Sequence, residues 1–205
     1  MAYPALTVAI LAGGAATRLG GRDKGLEPLG GRPLIEWVIE YCAMHLGITT
    51  PFESTELLII ANRHLPEYAR YAPTYRDLAI GFHGPLAGVA SALAHASAPH
   101  VLTLPVDSPR PPENLASRLL TAMDQHGASA AFAHDGERRQ PLFALYRREL
   151  ADAADAAAAQ GQGVWEWQDA IGAIGVDFAD CRQQFHNLNT PEDFSAYADV
   201  ARTRE

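Results

Sequence analysis

The sequence has few of the residues on which several classes of protein depend. Its two cysteines, Cys42 and Cys181, lie far apart and form no C-x-x-C pair, so neither a zinc site nor a disulfide framework is indicated. We expect two buried thiols in a reducing compartment. Apolar runs long enough to span a membrane are missing, and residues 1–14 lack the basic segment of a signal peptide. We therefore expect a cytoplasmic protein that does not engage a membrane.

Positive charge is also scarce, because the formal net charge is −8. An acidic protein lacks the positive field that nonspecific binding to nucleic acid needs. Lys24 is the only lysine, against fifteen arginines, and it stands with Arg18, Arg22 and Arg32 in one short stretch. An ammonium is a compact charge that fits where a planar guanidinium does not. One local basic loop in an acidic chain indicates a small anionic ligand, although a chance lysine on a solvated loop is the plainer alternative.

The eight histidines form no H-x-H or H-E-x-x-H pair, and the chain has no G-x-S-x-G sequence. Zinc catalysis and hydrolytic triads are therefore unsupported.

A phosphate-binding loop is predicted at the start of the chain. The apolar run Leu6–Ile10 predicts a buried strand, and it leads into LAGGAATRLGGRDKG, Leu11 to Gly25. Glycines let backbone amides approach an anion closely. The spacing fits neither the P-loop, which needs Gly-Lys followed by Ser or Thr, nor the G-x-G-x-x-G dinucleotide loop.

Strands and helices alternate along the rest of the chain. This order predicts an α/β fold, a mostly parallel sheet with helices on both faces, in one domain over residues 1–205. Further strands are predicted at Leu57–Ala61, Pro73–Arg76, Val101–Pro105, Ala128–Ala133, Leu142–Tyr146 and Ala173–Phe178. Helices are predicted at Pro33–Leu46, Leu65–Tyr71, Leu86–Ala96, Pro111–Gln125, Arg147–Gln160 and Val164–Ile171, with a last one opened by Thr190.

The carboxyl ends of these strands predict the ligand site, because open α/β sheets bind ligands there. Gly13, Asn62 and Asp107 each follow a predicted strand. Asp107 is a candidate ligand for Mg²⁺, which takes one or two protein carboxylates together with phosphate oxygens and water. Position alone fits equally well an Asp that begins a turn with Ser108 and Pro109.

Several of these segments occur in order in one family. The segments LAGG with GGxDKG, ANRH, GPLAG, PVDSP, QPLFAL and NLNTPED together resemble the molybdenum cofactor guanylyltransferases over nearly the whole chain. The resemblance implies a Rossmann-like nucleotidyltransferase fold with a twisted sheet. It also implies transfer of GMP from GTP to the terminal phosphate of molybdopterin, with release of pyrophosphate and with Mg²⁺ as cofactor.

The resemblance also implies roles for individual residues. The implied catalytic residues are Arg18, Lys24 and Asp107, with Asp107 also holding the metal. Those implied to bind GTP are Leu11, Ala12, Gly13, Gly14, Lys24, Asp77, Gly84, Gly88 and Asp107. Asn187 and Asn189 are implied to bind molybdopterin. An accessory GTP-binding protein and molybdoenzyme apoproteins are the implied protein partners.

Two of these assignments have plainer alternatives. Asp77 stands seven residues before Gly84, as in the family, and a carboxylate accepts hydrogen bonds from both N1–H and the N2 amino group of guanine. It also fits a turn or a helix boundary. Asn189 and Thr190 fit the residues before a helix, since Thr190 and Asp193 have the spacing of a capping box.

The chain departs from the family at two places. Ile60 stands where an Asn is expected near the base, and the late loop Gly161-Gln162-Gly163 lacks an expected Arg. These changes bear on base selectivity and on contact with the pterin phosphate. The rivals are a transferase that uses CTP or another phosphate or sugar-phosphate acceptor, and a nucleotide-binding protein without transfer activity that delivers the cofactor. Cytidylyltransferases favour LAAG over LAGG, which argues against CTP.

Overall fold

The structure is a computed structural model that describes residues 5–14, 23–47, 57–78 and 84–202. Its strands are β1 (Leu6–Leu11), β2 (Pro28–Leu29), β3 (Arg32–Pro33), β4 (Leu57–Ile60), β5 (Thr74–Tyr75), β6 (His100–Pro105), β7 (Ala130–His134), β8 (Arg139–Arg147) and β9 (Ile174–Asp177). Its α-helices are α1 (Leu34–Leu46), α2 (Leu65–Tyr68), α3 (Pro85–His95), α4 (Leu115–His126), α5 (Ala151–Ala159), α6 (Val164–Ala170) and α7 (Pro191–Arg202). Single 3-10 segments occur at Lys24–Leu26, Arg148–Leu150 and Ala179–Phe185.

Seven of these strands form one sheet in the order β5-β4-β1-β6-β8-β7-β9. Neighbouring strands are parallel except for β8, which runs antiparallel to both β6 and β7. In the central strand β1, Val8, Ala9 and Ile10 are all fully buried. A strand covered on both faces needs a continuous apolar run, which explains the pattern in the sequence. The predicted mostly parallel sheet is confirmed.

Helices cover both faces of this sheet, as predicted. One face carries a core that includes Ile35 and Val38 of α1 with Leu119 of α4. The other carries a core that includes Val89 of α3 with Ala154 of α5. In the described part of the chain, no helix has the length and apolar character that crossing a membrane requires.

Several predicted boundaries were wrong. Helix α4 begins at Leu115 rather than Pro111, because two successive prolines precede it and the Leu115 amide donates to the Pro112 carbonyl, 2.9 Å away. The helix predicted from Arg147 begins later, at Ala151, since the Arg147 amide donates to the Ser129 carbonyl at 2.8 Å and so belongs to the sheet.

Two further local expectations were incomplete. The short antiparallel pair β2–β3 was not predicted, and it is tied to α1 by a hydrogen bond from Trp37 Nε1 to the Leu29 carbonyl at 3.1 Å. Cys42 is a buried free thiol, as predicted, whereas Cys181 is a free thiol that is only half-buried.

The core under α4 gives a stability prediction. Leu119 is fully buried, so Leu119→Ala removes apolar contacts and leaves a cavity, and we expect the free energy of unfolding to fall by about 2–5 kcal/mol. Urea denaturation followed by circular dichroism measures this change. Thr121→Ala, on the exposed side of the same helix, is the matched control and should change the free energy by less than about 0.5 kcal/mol. Equal effects of the two substitutions would contradict this packing.

Candidate active site

A cavity of about 560 Å³ opens at the carboxyl ends of β1, β4 and β6. Its far wall is the beginning of β8, where pairing with β6 stops at Thr103 and Ala144 although β6 continues to Pro105. The Leu142 carbonyl instead accepts a hydrogen bond from the Thr103 side chain, with 2.8 Å between the oxygens. The end of ladder pairing at this point accounts for the space between the two strands.

The cavity gathers predicted site residues that lie far apart in the sequence. Those that line it are Leu11, Ala12, Gly13, Gly14, Lys24, Asp77, Gly84, Gly88, Asp107, Asn187 and Asn189. Arg18 lies outside the described residues. The structure therefore brings together every predicted site residue that it describes.

Lys24 lies between two oxygen acceptors. Its ammonium group is 3.1 Å from Oδ2 of Asp107 and 2.5 Å from Oδ1 of Asn189. The side chains of Lys24 and Asp107 are 22% and 19% exposed, so the pair is partly shielded from water. Reduced solvation strengthens the attraction between unlike charges. The single lysine is thus fixed at the cavity wall rather than extended into solvent.

The turn that carries Lys24 is held by neighbours that the sequence analysis did not single out. Oδ1 of Asp23 accepts hydrogen bonds from the Gly25 amide at 3.1 Å and from the Tyr68 hydroxyl. Burial, together with the charge of Asp23, raises the pKa of Tyr68 far above its usual value, so the hydroxyl remains a donor. A Cβ at Gly25 would lie 2.3 Å from the Tyr68 hydroxyl oxygen. Contacts with Tyr68, which is distant in sequence, therefore explain why Asp23 and Gly25 flank Lys24.

The segment before α7 is fixed against Asp107. The Leu188 amide donates to the Asp107 carbonyl at 2.8 Å, and the Ser108 hydroxyl donates to Oδ1 of Asn187 at 2.6 Å. These bonds place both asparagines of the N-L-N sequence at the wall of the same cavity as Asp107.

The predicted capping box is also present. The Asp193 carboxylate accepts hydrogen bonds from the backbone amides of Asn189 and Thr190, each at 2.9 Å. The backbone amide of Asp193 donates a hydrogen bond to the Thr190 hydroxyl at 3.2 Å. The segment therefore caps helix α7 and also contributes residues to the cavity wall.

Asp77 is oriented by an amide side chain at the end of β4. Nδ2 of Asn62 donates a hydrogen bond to Oδ2 of Asp77 at 2.7 Å. Oδ1 of Asn62 accepts a hydrogen bond from the backbone amide of Asp77 at 3.1 Å. Behind it, the buried Ser91 hydroxyl accepts from the Leu78 amide at 2.8 Å. A Cβ at Gly88 would lie 3.7 Å from Oδ1 of Asp77, in ordinary van der Waals contact, so the backbone of α3 lies close to the carboxylate. Asn62 thus holds this side chain at the cavity.

The two departures from the family pattern lie in different surroundings. Ile60 is buried and forms part of the cavity wall, and the polar side chain that bonds to Asp77 is supplied two residues later by Asn62. Among the described residues that line the cavity, none comes from the loop at 161–163.

The carboxylate of Asp107 is a suitable ligand for a magnesium ion. Within the described residues, no group of three or more His, Cys, Asp or Glu side chains is arranged to hold a metal. Asp107 supplies a single partly buried carboxylate at the wall. One carboxylate is enough for Mg²⁺ that is bound together with phosphate oxygens and water. The residues present therefore fit a magnesium ion that accompanies a polyphosphate.

Comparison with known proteins gives consistent matches. Residues 8–174 match the family model described as a MobA-like NTP transferase domain. Curated relatives named molybdenum cofactor guanylyltransferase include one from Mannheimia succiniciproducens, 39% identical over 93% of this chain and 97% of the relative. Another, from Vibrio vulnificus, is 37% identical over 98% of this chain and 99% of the relative.

Solved structures share the fold. Molybdopterin-guanine dinucleotide biosynthesis protein A from Archaeoglobus fulgidus has a TM-score of 0.75 at 24% identity, with 96% of this chain and 99% of that chain covered. 2-C-methyl-D-erythritol 4-phosphate cytidylyltransferase from Thermus thermophilus has a TM-score of 0.64 at 20% identity, with coverages of 95% and 98%. At these identities the likeness concerns the fold alone.

The Asp193 cap predicts a pH-dependent stability difference. The hydrogen bond from the Asn189 amide outweighs the effect of burial and holds the pKa of Asp193 below its usual range. A carboxyl group with a lowered pKa in the folded state stabilises the fold above its unfolded-state pKa, and this stabilisation is lost as the pH falls through the folded-state value. At pH 7 we expect Asp193→Asn to reduce the free energy of unfolding by about 1 kcal/mol.

Urea denaturation of both proteins between pH 7 and pH 2.5 measures this difference, which should shrink below about pH 4. Glu192→Gln changes an exposed carboxyl group in the same helical turn and serves as the control. A difference that is constant with pH would contradict a role for the ionised carboxylate.

Proposed function

The chain belongs to the MobA-like NTP transferase family and, within it, to the molybdenum cofactor guanylyltransferases, and from this premise we propose the reaction of its cavity. The protein is a nucleotidyltransferase that transfers GMP from GTP to molybdopterin, which forms the guanine dinucleotide cofactor and pyrophosphate. One observation carries the proposed site: residues from eight separate segments line a single cavity around the contact between Lys24 and Asp107.

The bond changes follow from the substrates. An oxygen of the terminal phosphate of molybdopterin attacks the α-phosphorus of GTP, and the bond from that phosphorus to the bridging oxygen of the β-phosphate breaks. The attacking phosphate is already ionised near neutral pH, so no general base is needed. The electron pair leaves with pyrophosphate. Catalysis therefore depends mainly on holding both reactants in line and on neutralising charge.

The residues at the end of β1 and in the following turn would hold the triphosphate. Gly13 and Gly14 present backbone close to the cavity, and Lys24 adds a positive charge at its wall. Asp107 would hold Mg²⁺, which when bound neutralises charge on the α-phosphate. Asn187 and Asn189, beside the same carboxylate, offer amide groups that pair with the edge of a pterin ring.

The proposal is tested by pyrophosphate release from each of the four ribonucleoside triphosphates, with and without molybdopterin and Mg²⁺. We expect release with GTP only, dependent on molybdopterin and on the metal. Asp107→Asn should lower kcat by roughly 100-fold or more, because one neutralising interaction at the reacting phosphate is lost. Asp124→Asn, an exposed change on α4, is the control. Thermal unfolding should show that both variants fold.

Other outcomes identify the rivals. Release with CTP in place of GTP would indicate a related cytidylyltransferase. Binding of a nucleotide without release of pyrophosphate, in the presence of molybdopterin and Mg²⁺, would indicate a nucleotide-binding protein without transfer activity.

Base selection gives a separate prediction for Asp77. Inosine triphosphate differs from GTP by the missing 2-amino group, so an enzyme that binds this group with a carboxylate should prefer GTP. We expect Asp77→Asn to reduce the ratio of kcat/KM for GTP over that for inosine triphosphate about tenfold, the cost of a charge-assisted hydrogen bond. Glu67→Gln, exposed on α2, is the control. An unchanged ratio would show that Asp77 does not bind the 2-amino group.

A further inference from the structure

Asp135 is a buried carboxylate that the proposed chemistry does not use. It lies at the start of the turn between β7 and β8 and is only 7% exposed. Its Oδ1 accepts hydrogen bonds from the backbone amides of Glu137 and Arg138, at 2.9 and 2.7 Å. Its Oδ2 accepts from Nε2 of Gln140, at 2.7 Å. The carboxylate therefore closes the turn and also binds a side chain at the entrance of β8.

The orientation of the Gln140 amide follows from this contact. Burial by itself would raise the pKa of Asp135, but hydrogen bonds from two backbone amides and from Gln140 bring it below its usual range. An ionised carboxylate can only accept, so the NH₂ group of Gln140 must face it. The amide oxygen Oε1 is then the free end of the side chain of a residue that lines the cavity. Within the described part of the chain, no donor is bonded to Oε1.

The strand order shows where Gln140 lies relative to the residues that the proposed function assigns to the nucleotide. Along the edge of the sheet, Asn62 follows β4, Gly13 follows β1, Asp107 follows β6, and Gln140 stands at the beginning of β8. Adjacent strands are about 4.8 Å apart, so β8 lies roughly 10 Å from β1, on the side of β6 away from β4. Asp107 thus separates Gln140 from Asn62, the residue that orients Asp77.

We propose that Gln140 is a specificity-determining residue of the acceptor side, where its Oε1 accepts a hydrogen bond from a ring N–H or amino group of the acceptor. The inference rests on the proposed function and deepens it, because it assigns a contact to the acceptor rather than to the nucleotide. Asp135 is the positioning residue, since it fixes which end of the amide faces the cavity. A pterin ring carries donors of the required kind.

The test is the steady-state kinetics of GMP transfer with GTP and molybdopterin varied in turn. Gln140→Leu keeps the approximate size of the side chain and removes the acceptor oxygen. We expect KM for molybdopterin to rise about tenfold, the cost of one buried hydrogen bond, with KM for GTP unchanged. Gln125→Leu, exposed on α4, is the control. Thermal unfolding should show that both variants fold.

A double-mutant cycle tests whether Asp135 acts through Gln140. Asp135→Asn alone should raise KM for molybdopterin, because an asparagine can pair with either end of the glutamine amide. In the Gln140→Leu background the same change should have no further effect on this KM, whereas an independent, purely structural role would give additive effects.

The outcomes separate the inference from the proposed function. Transfer by the wild type with an unchanged KM for molybdopterin in Gln140→Leu would overturn the inference alone. A rise in KM for GTP alone would overturn it as well and would place Gln140 on the nucleotide. Absence of GMP transfer by the wild type would overturn the proposed function, and with it the acceptor contact.

Discussion

The site depends on the contact of one ammonium group with two oxygens. Lys24 reaches Asp107, 83 residues away in sequence, and Asn189, 165 residues away. It therefore joins the turn after β1, the end of β6 and the segment before α7. Because the charges are partly shielded from water, their attraction is stronger than at an open surface. An acidic chain with a single lysine places this compact cation between two oxygens, at the wall of the cavity that we propose binds a polyphosphate.

The direction of β8 gives the cavity its second wall. Parallel strands end at the same edge, so β1, β4 and β6 supply their carboxyl-terminal residues there. Strand β8 is antiparallel to β6 and therefore contributes its beginning to the same edge. Its early residues do not pair with β6, although they still pair with β7, and the gap beside β6 becomes part of the cavity. One reversed strand thus supplies cavity residues from its beginning, whereas the parallel strands supply residues from their ends.

Three turns around the cavity use the same local device. Asp23, Asp135 and Asp193 each accept a hydrogen bond from at least one backbone amide within four residues, and each fixes a turn in or beside which a cavity residue lies. Asp23 holds the turn of Lys24, and Asp193 holds the amide of Asn189. Asp135 and Asp193 each accept hydrogen bonds from two backbone amides, and these bonds hold the pKa of both carboxyl groups below the usual range. Part of the acidic composition therefore serves to fix the turns around the cavity.

The sequence by itself determined the features that depend on near neighbours: the buried β1 run, the glycine-rich turn, the Thr190–Asp193 cap and the alternation of strands and helices. The ordered segments also identified most residues of the cavity, including Asp107 and Asn189. Only the tertiary structure decided that β8 is reversed, that Tyr68 and Asp23 hold Lys24, and that Asp135 orients Gln140. Periodicity reports which faces of a segment are buried, but it carries no information on strand direction or on partners far away in sequence, because those depend on how separate segments pack together.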